Sequence, residues 1–99
     1  MSLRQFIDNN MPLITEKVHY TDFKCLCEGF EITQEQHLQL YFKTHDKSNY
    51  IRDVFDIWLA KKERTVDDFI YAFFKSGYIT FSKELRKVRL CHRLKVLRF

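Results

Sequence analysis

Two apolar stripes at helical spacing, separated by charged residues, occupy Tyr50 to Tyr78 and constrain this chain more than any other feature. The segment reads YIRDVFDIWLAKKERTVDDFIYAFFKSGY. In both stripes apolar residues recur at i, i+3, i+4 and i+7, so each stripe predicts an amphipathic helix with one buried face. The charged residues Lys61 to Arg64 predict the loop that joins the two helices. The segment therefore favours packed helices over strands.

The residues on the inner side of these stripes, and of similar stripes upstream, are predicted to form the core. They are Phe23, Leu38, Ile51, Val54, Phe55, Trp58, Leu59, Val66, Phe69, Ile70 and Phe73. Trp58 is the single indole, and it is in register with Val54 and Leu59. That register favours a position in the core over an exposed role as a binding anchor.

Helix starts recur along the chain as a hydroxyl residue followed three positions later by a side chain that can reach back. The three pairs are Ser2 with Gln5, Thr33 with Gln36 and Thr65 with Asp68. Each matches a capping box and opens an apolar periodic run. A loop is expected from Thr44 to Asn49, and a last helix from near Ser82.

These patterns predict an all-α protein, a compact antiparallel bundle of six helices formed by one domain over residues 1–99. The first helix is expected to be kinked or split at Pro12, because proline removes a backbone donor and clashes with the preceding turn. A basic C-terminal helix or tail is expected from about residue 82. Two glycines and one proline are too few for the turns of a small sandwich or barrel.

Three cysteines, Cys25, Cys27 and Cys91, carry no spacing typical of a disulfide framework. Their odd number, with no secretory pattern at the N-terminus, predicts a reducing compartment and a cytoplasmic location. No uncharged run is long enough to cross a membrane, so no membrane association is expected.

Chemistry-bearing motifs are weak. The Cys-x-Cys pair and the Cys91–His92 pair do not have the spacing of zinc ligands, and no glycine-rich loop is present to hold a phosphate. Cys27 lies on an apolar helix face, where burial makes a thiol inert. We therefore expect no catalytic residue, no metal site, no cofactor and no small-molecule substrate. A Cys-dependent enzyme or metal protein remains the third hypothesis.

Charge separates along the chain. Residues 1–40 carry three basic and six acidic side chains, a net of −3, whereas residues 81–99 carry seven basic and one acidic, a net of +6. Patches of both signs on one bundle can bind partners or further copies of the chain. The candidate contact residues are Asp53, Asp56, Asp67 and Asp68 in one patch and Lys83, Arg86, Lys87 and Arg89 in the other.

The segment SNYIRDVFDIWLAKKERTVDDFIYAFFKSGYITFSKEL resembles the C-terminal half of a death domain. In that family a helix ending in W-L is followed by a short polar loop, a T-V-x-D-hydrophobic start and a helix ending in A-x-x-x-x-G. The corresponding residues are Trp58–Leu59, Thr65–Phe69 and Ala72–Gly77. Phe23 stands where many death domains carry Trp. The R-x-D-L of the death-effector type is absent, and the caspase-recruitment type also splits its first helix, so the subfamily stays open.

The resemblance implies a non-enzymatic adaptor. Death-fold domains bind one another through charged, asymmetric surfaces and build helical oligomers in apoptotic or innate-immune signalling. The implied partners are other death-fold proteins, with further copies of this chain among them. The alternative hypothesis is a small basic helical protein that binds nucleic acid through residues 83–98, with affinity that falls steeply as salt rises.

Overall fold

Six α-helices and one short 3-10 turn form the computed structural model, which describes residues 2–44 and 46–97. The helices are α1 (Leu3–Lys17), α2 (Phe23–Gly29), α3 (Gln34–Lys43), α4 (Lys47–Lys61), α5 (Val66–Lys75) and α6 (Ile79–Leu97), and the 3-10 turn is Tyr20–Asp22. No strand occurs in these ranges, so the prediction of an all-α chain with six helices is confirmed. The end of the basic segment, from residue 98, lies outside the described residues.

The three predicted capping boxes are confirmed. In each, the hydroxyl oxygen accepts from a backbone N–H at 3.1 Å, and the third residue's side chain accepts from the cap residue's own N–H. These reciprocal bonds open α1, α3 and α5. They satisfy backbone donors that a helix start otherwise leaves unpaired.

Three features of the helices differ from the sequence prediction. α1 runs unbroken through Pro12, so the helix is not split there, and a bend at that position stays a prediction. α4 begins at Lys47, inside the expected loop, because Asp46 accepts a hydrogen bond from the Asn49 N–H at 3.1 Å and caps the helix. α6 begins at Ile79 rather than near Ser82.

Two ion pairs show how α1 lies against α4. Arg4 pairs with Asp56 at 3.0 Å, and Asp8 pairs with Arg52 at 2.9 Å. Four residues forward along α1 thus correspond to four residues back along α4, which makes the two helices antiparallel. Because all four side chains are exposed, each pair stabilises the contact by at most about 1 kcal/mol, and apolar packing carries the rest.

α5 and α6 form a second antiparallel pair. Gly77 lies between them with φ of 89°, a left-handed conformation that glycine adopts without steric penalty. At the far end of the hairpin, Arg89 of α6 bonds to Asp67 in the first turn of α5. The turn at one end and the ion pair at the other hold α6 along α5.

The centre of the core is a cluster of aromatic rings from α2, α4 and α5. The ring of Phe30, directly after α2, lies 5.0 Å from Phe55, 5.2 Å from Trp58 and 5.1 Å from Phe73, measured between centroids. Phe69 completes the cluster at 5.8 Å from Phe30. Most of these pairs meet edge to face, an arrangement that aromatic rings favour beyond simple burial.

Most predicted core residues are buried: Phe23, Ile51, Val54, Phe55, Trp58, Phe69, Ile70 and Phe73. Leu59 and Val66 are half-buried and pack against the core. The prediction for Leu38 is wrong, because its side chain is 44% exposed. On α3 the buried apolar residue is Leu40, and two residues correspond to about 200° of helical rotation. Leu38 therefore lies on the opposite side of α3.

α2 and α5 approach each other closely at Gly29. A methyl group built on Gly29 would lie 1.8 Å from Ser76 Oγ and 2.6 Å from the Ala72 carbonyl oxygen. Ser76 is itself fixed, because its hydroxyl donates to the Ala72 carbonyl at 2.8 Å. Only glycine fits where these backbones meet.

We expect Gly29→Ala to destabilise the fold by about 3 kcal/mol or more, since the added methyl group collides with a backbone oxygen that cannot rotate away. Gly77→Ala is the matched control. Nothing lies within 4 Å of its added methyl group, so only the left-handed backbone penalty of about 1–2 kcal/mol applies. Urea unfolding of both variants measures the difference, and equal losses would contradict the close α2–α5 approach.

Candidate interaction surface

Three candidate cations lie on the outer face of α6. Phe81 and Leu85 are buried and fix which side of the helix faces the core. Lys83, Arg86 and Lys87 are exposed on the other side. Among the described residues, no ion pair or hydrogen bond engages these three side chains. They form what we call the α6 cationic face.

Arg89 does not belong to that face. Its side chain is 22% exposed and bonds to the carboxylate of Asp67, which the sequence assigned to the opposing patch. The two candidates therefore neutralise each other across the α5–α6 hairpin.

The other candidate acids also have partners within the chain. Asp56 pairs with Arg4 at 3.0 Å. Asp53 accepts from the Thr44 hydroxyl at 3.2 Å, and Asp68 completes the capping box of α5. All four acids of the predicted patch thus stabilise the fold. Of the eight candidates, those of the α6 cationic face alone lack a partner among the described residues.

An open groove of about 200 Å³ lies between the 3-10 turn, α3 and α4. Its lining is mostly aromatic and consists of Tyr20, Phe23, Tyr41, Phe42, Thr44, Asp46 and Tyr50. The ring of Phe42 is 74% exposed. We call this the aromatic groove. The groove was not predicted from the sequence, where Leu38 of α3 was expected to face the core.

A signal for the groove was present in the sequence. Leu38 and Phe42 are four residues apart and share one side of α3, whereas Leu40 is on the other. A ten-residue helix with apolar residues on both sides cannot bury all of them against one core. The pattern is typical of a helix with one core face and one surface available to a partner.

A series of hydrogen-bonded polar side chains lies behind the aromatic groove. The Tyr50 hydroxyl is 2.5 Å from His37 Nδ1 and 3.1 Å from Cys27 Sγ, and the ring of Phe23 stacks on Tyr50 with centroids 4.2 Å apart. Burial raises the pKa of the Tyr50 hydroxyl, and the hydrogen bond to Cys27 raises it further. Burial likewise raises the pKa of the Cys27 thiol. Both groups therefore stay protonated at neutral pH.

Arg64 joins the α4–α5 loop to the α2–α3 loop. Its side chain is only 8% exposed, the guanidinium carbon lies 4.6 Å from the centre of the Trp58 ring, and a nitrogen pairs with Glu31 at 2.9 Å. The hydrogen bond from Arg64 lowers the pKa of Glu31. Lys61 donates to the Glu31 carbonyl oxygen as well. The sequence predicted only a polar exit loop here.

Two further properties concern the described residues as a whole. No group of three or more His, Cys, Asp or Glu side chains among them is arranged to hold a metal ion. None of their helices combines the length and the apolar character that crossing a membrane requires.

Tyr50→Phe tests the buried polar chain. At pH 8 we expect a loss of about 1 kcal/mol, because Cys27 and His37 lose their shared partner. In the wild type, native Tyr50 keeps its proton above the ordinary tyrosine pKa of about 10, while the unfolded chain ionises. Stability therefore falls as pH rises through that range. Tyr50→Phe should show a smaller alkaline fall.

Urea midpoints between pH 8 and pH 11 measure this difference. Tyr71→Phe is the control, because Tyr71 is an exposed tyrosine on α5. An alkaline fall in Tyr50→Phe as large as in the control would contradict the role of the buried hydroxyl.

Arg64→Lys tests whether the stacking on Trp58 or the pairing with Glu31 matters more. We expect Arg64→Lys to destabilise the fold by about 1–2 kcal/mol, because lysine keeps the charge but loses the planar contact with the indole. Glu31→Gln should cost less than about 1 kcal/mol, since Glu31 is half exposed. Urea unfolding at pH 7 ranks the two, and the reverse order would contradict the stacking.

Comparisons with known proteins leave the chain without an assigned relative. No model of a protein family matches it, no curated protein matches it, and no solved structure matches it. The resemblance to death domains therefore stands on the quoted residues alone.

Proposed function

We propose that this protein is a non-enzymatic interaction module of the death-fold type, which associates with other death-fold domains as an adaptor in apoptotic or innate-immune signalling. The W-L, T-V-x-D and A-x-x-x-x-G residues support the family, and the six-helix architecture is compatible with it. The observation that carries the proposal is the α6 cationic face, Lys83, Arg86 and Lys87, which stays unpaired among the described residues while the predicted acids are engaged.

The spacing of the three cations suits docking. Positions i, i+3 and i+4 of a helix lie on one side, so the charges project together from a helix that α5 holds in place. An acidic surface on a partner would meet all three at once. Such contacts speed encounter and select partners more than they add affinity, which suits reversible signalling assemblies.

A second candidate function combines the α6 cationic face with exposed rings on α5. Near the end of α5, the exposed rings of Tyr71 and Phe74 stack with centroids 5.9 Å apart, and Lys75 lies over Tyr71. Cations combined with exposed rings are also how proteins hold single-stranded nucleic acid. This observation keeps a basic nucleic-acid-binding protein as the alternative.

The triple variant Lys83→Glu/Arg86→Glu/Lys87→Glu tests the proposal. We expect its Kd for a death-fold partner to rise by at least about tenfold, because three attractive charges become repulsive. Fluorescence anisotropy against a panel of purified death-fold domains, this chain included, measures the change. Lys17→Glu/Lys24→Glu/Lys62→Glu is the control, since it reverses three exposed lysines elsewhere and should leave Kd unchanged.

The same proteins separate the two functions. If no domain of the panel binds, and mixed-sequence DNA or RNA is shifted in a gel by the wild type but not by the triple variant, the nucleic-acid alternative holds. Equal loss of domain binding in the triple variant and its control would remove α6 as the docking surface.

A further inference from the structure

The aromatic groove has the chemistry of a receptor for cations. Tyr20, Tyr41 and Phe42 are all more than half exposed, and Phe23 and Tyr50 form its buried wall. The carboxylate of Asp46, one oxygen of which caps α4 by accepting from the Asn49 N–H, adds a negative charge at the rim. Aromatic faces attract ammonium and guanidinium groups through the negative charge of the ring face. A nearby carboxylate strengthens that preference.

The groove already shows this preference within the chain. The ammonium group of Lys47 lies over the Tyr20 ring, 5.9 Å from its centroid. Lys47 is not among the described residues that line the groove, and these include no lysine or arginine. Besides the Lys47 ammonium over Tyr20, the described part of the groove therefore holds no lysine or arginine of its own.

The complementary surface is on the same chain. Arg86 and Lys87 project from the α6 cationic face, and Leu90, one turn further along, is 55% exposed. Two cations beside an exposed aliphatic side chain suit a groove of rings with an acid at the rim. Among the described residues, no ion pair joins an α6 cation to Asp46, so within one copy the α6 cationic face does not engage the groove through this acid.

We propose that the aromatic groove of one copy receives Arg86, Lys87 and Leu90 of a second copy, a deeper form of the association proposed above, on which it rests. The two surfaces are different parts of the molecule, so the contact is heterologous. Each copy that docks through α6 leaves its own groove open for another. Such a contact extends into rings or filaments rather than stopping at a dimer.

Two variants each disable one side of the contact. Phe42→Lys places a cation in the groove to repel the incoming arginine and lysine, at a position that is 74% exposed and so does not support the core. Arg86→Glu/Lys87→Glu reverses the incoming charges. The matched controls are Phe74→Lys, an exposed aromatic residue outside the groove, and Lys17→Glu/Lys62→Glu.

Sedimentation velocity at increasing protein concentration measures the assembly. We expect the wild type and both controls to form species larger than dimers, which shrink as salt is added. Phe42→Lys and Arg86→Glu/Lys87→Glu should each need at least about tenfold more protein to associate. Unchanged circular dichroism and urea midpoints show that each variant is folded.

Mixing the two disabled variants gives the sharpest test. The charge-reversed copy retains an intact groove, and the Phe42→Lys copy retains an intact α6. One wild-type contact is therefore possible, and in the other contact the lysine introduced in the groove attracts the glutamates introduced on α6. The mixture should therefore assemble at a lower protein concentration than either variant alone. A mixture that stays monomeric, or a wild type that is monomeric at every concentration, would overturn the proposal.

This outcome is separable from that of the proposed function. If Arg86→Glu/Lys87→Glu blocks assembly while Phe42→Lys and Phe74→Lys both leave it intact, the groove is not the receptor, yet α6 remains the docking surface. If the wild type binds other death-fold domains but never itself, the second-copy inference fails and the interaction module stands. If it binds neither itself nor the panel, both fail.

Discussion

The fold depends on Phe30, a fully buried ring directly after a helix of only seven residues. A helix that short is not stable in water by itself. Phe30 holds it by inserting among Phe55 and Trp58 of α4 and Phe73 of α5. The glycine before it brings the backbone of α2 against α5. The position of α2 thus follows from the Phe30 ring and the close approach at Gly29, together with the buried side chains of Phe23, Leu26 and Cys27.

The packing of α4 and α5 on this cluster also determines which charged side chains meet at the surface. Once their aromatic sides turn inward, their acids lie outside, within reach of α1 and α6. Arg4 then reaches Asp56, and Arg89 reaches Asp67. Of the eight candidate contact residues, five are thus engaged within the fold, and the three of the α6 cationic face have no partner among the described residues. A partner can bind those charged side chains that no contact within the fold already engages.

The sequence predicted what is local and missed what depends on tertiary packing. The capping boxes and the stripes of α4 and α5 are short-range patterns, so the helices and most core residues follow from them. Whether Leu38 faces the core depends on how α3 is rotated, which its own pattern leaves ambiguous. The contacts of Arg64 and Arg89 join residues more than twenty positions apart. No periodicity within one helix encodes such pairings, and the aromatic groove needs three elements to exist at all.

Tyr50 connects the core to the aromatic groove. Its ring forms a wall of the aromatic groove, while its hydroxyl lies within hydrogen-bond distance of Cys27 on α2 and His37 on α3. α3 contributes one buried apolar residue, Leu40, so its orientation relies on the contact between His37 and Tyr50 as well as on apolar packing. That orientation is what exposes Tyr41 and Phe42. The shape of the groove therefore depends on the contacts of the Tyr50 hydroxyl as well as on the burial of Leu40, and both hold α3 in the orientation that exposes Tyr41 and Phe42.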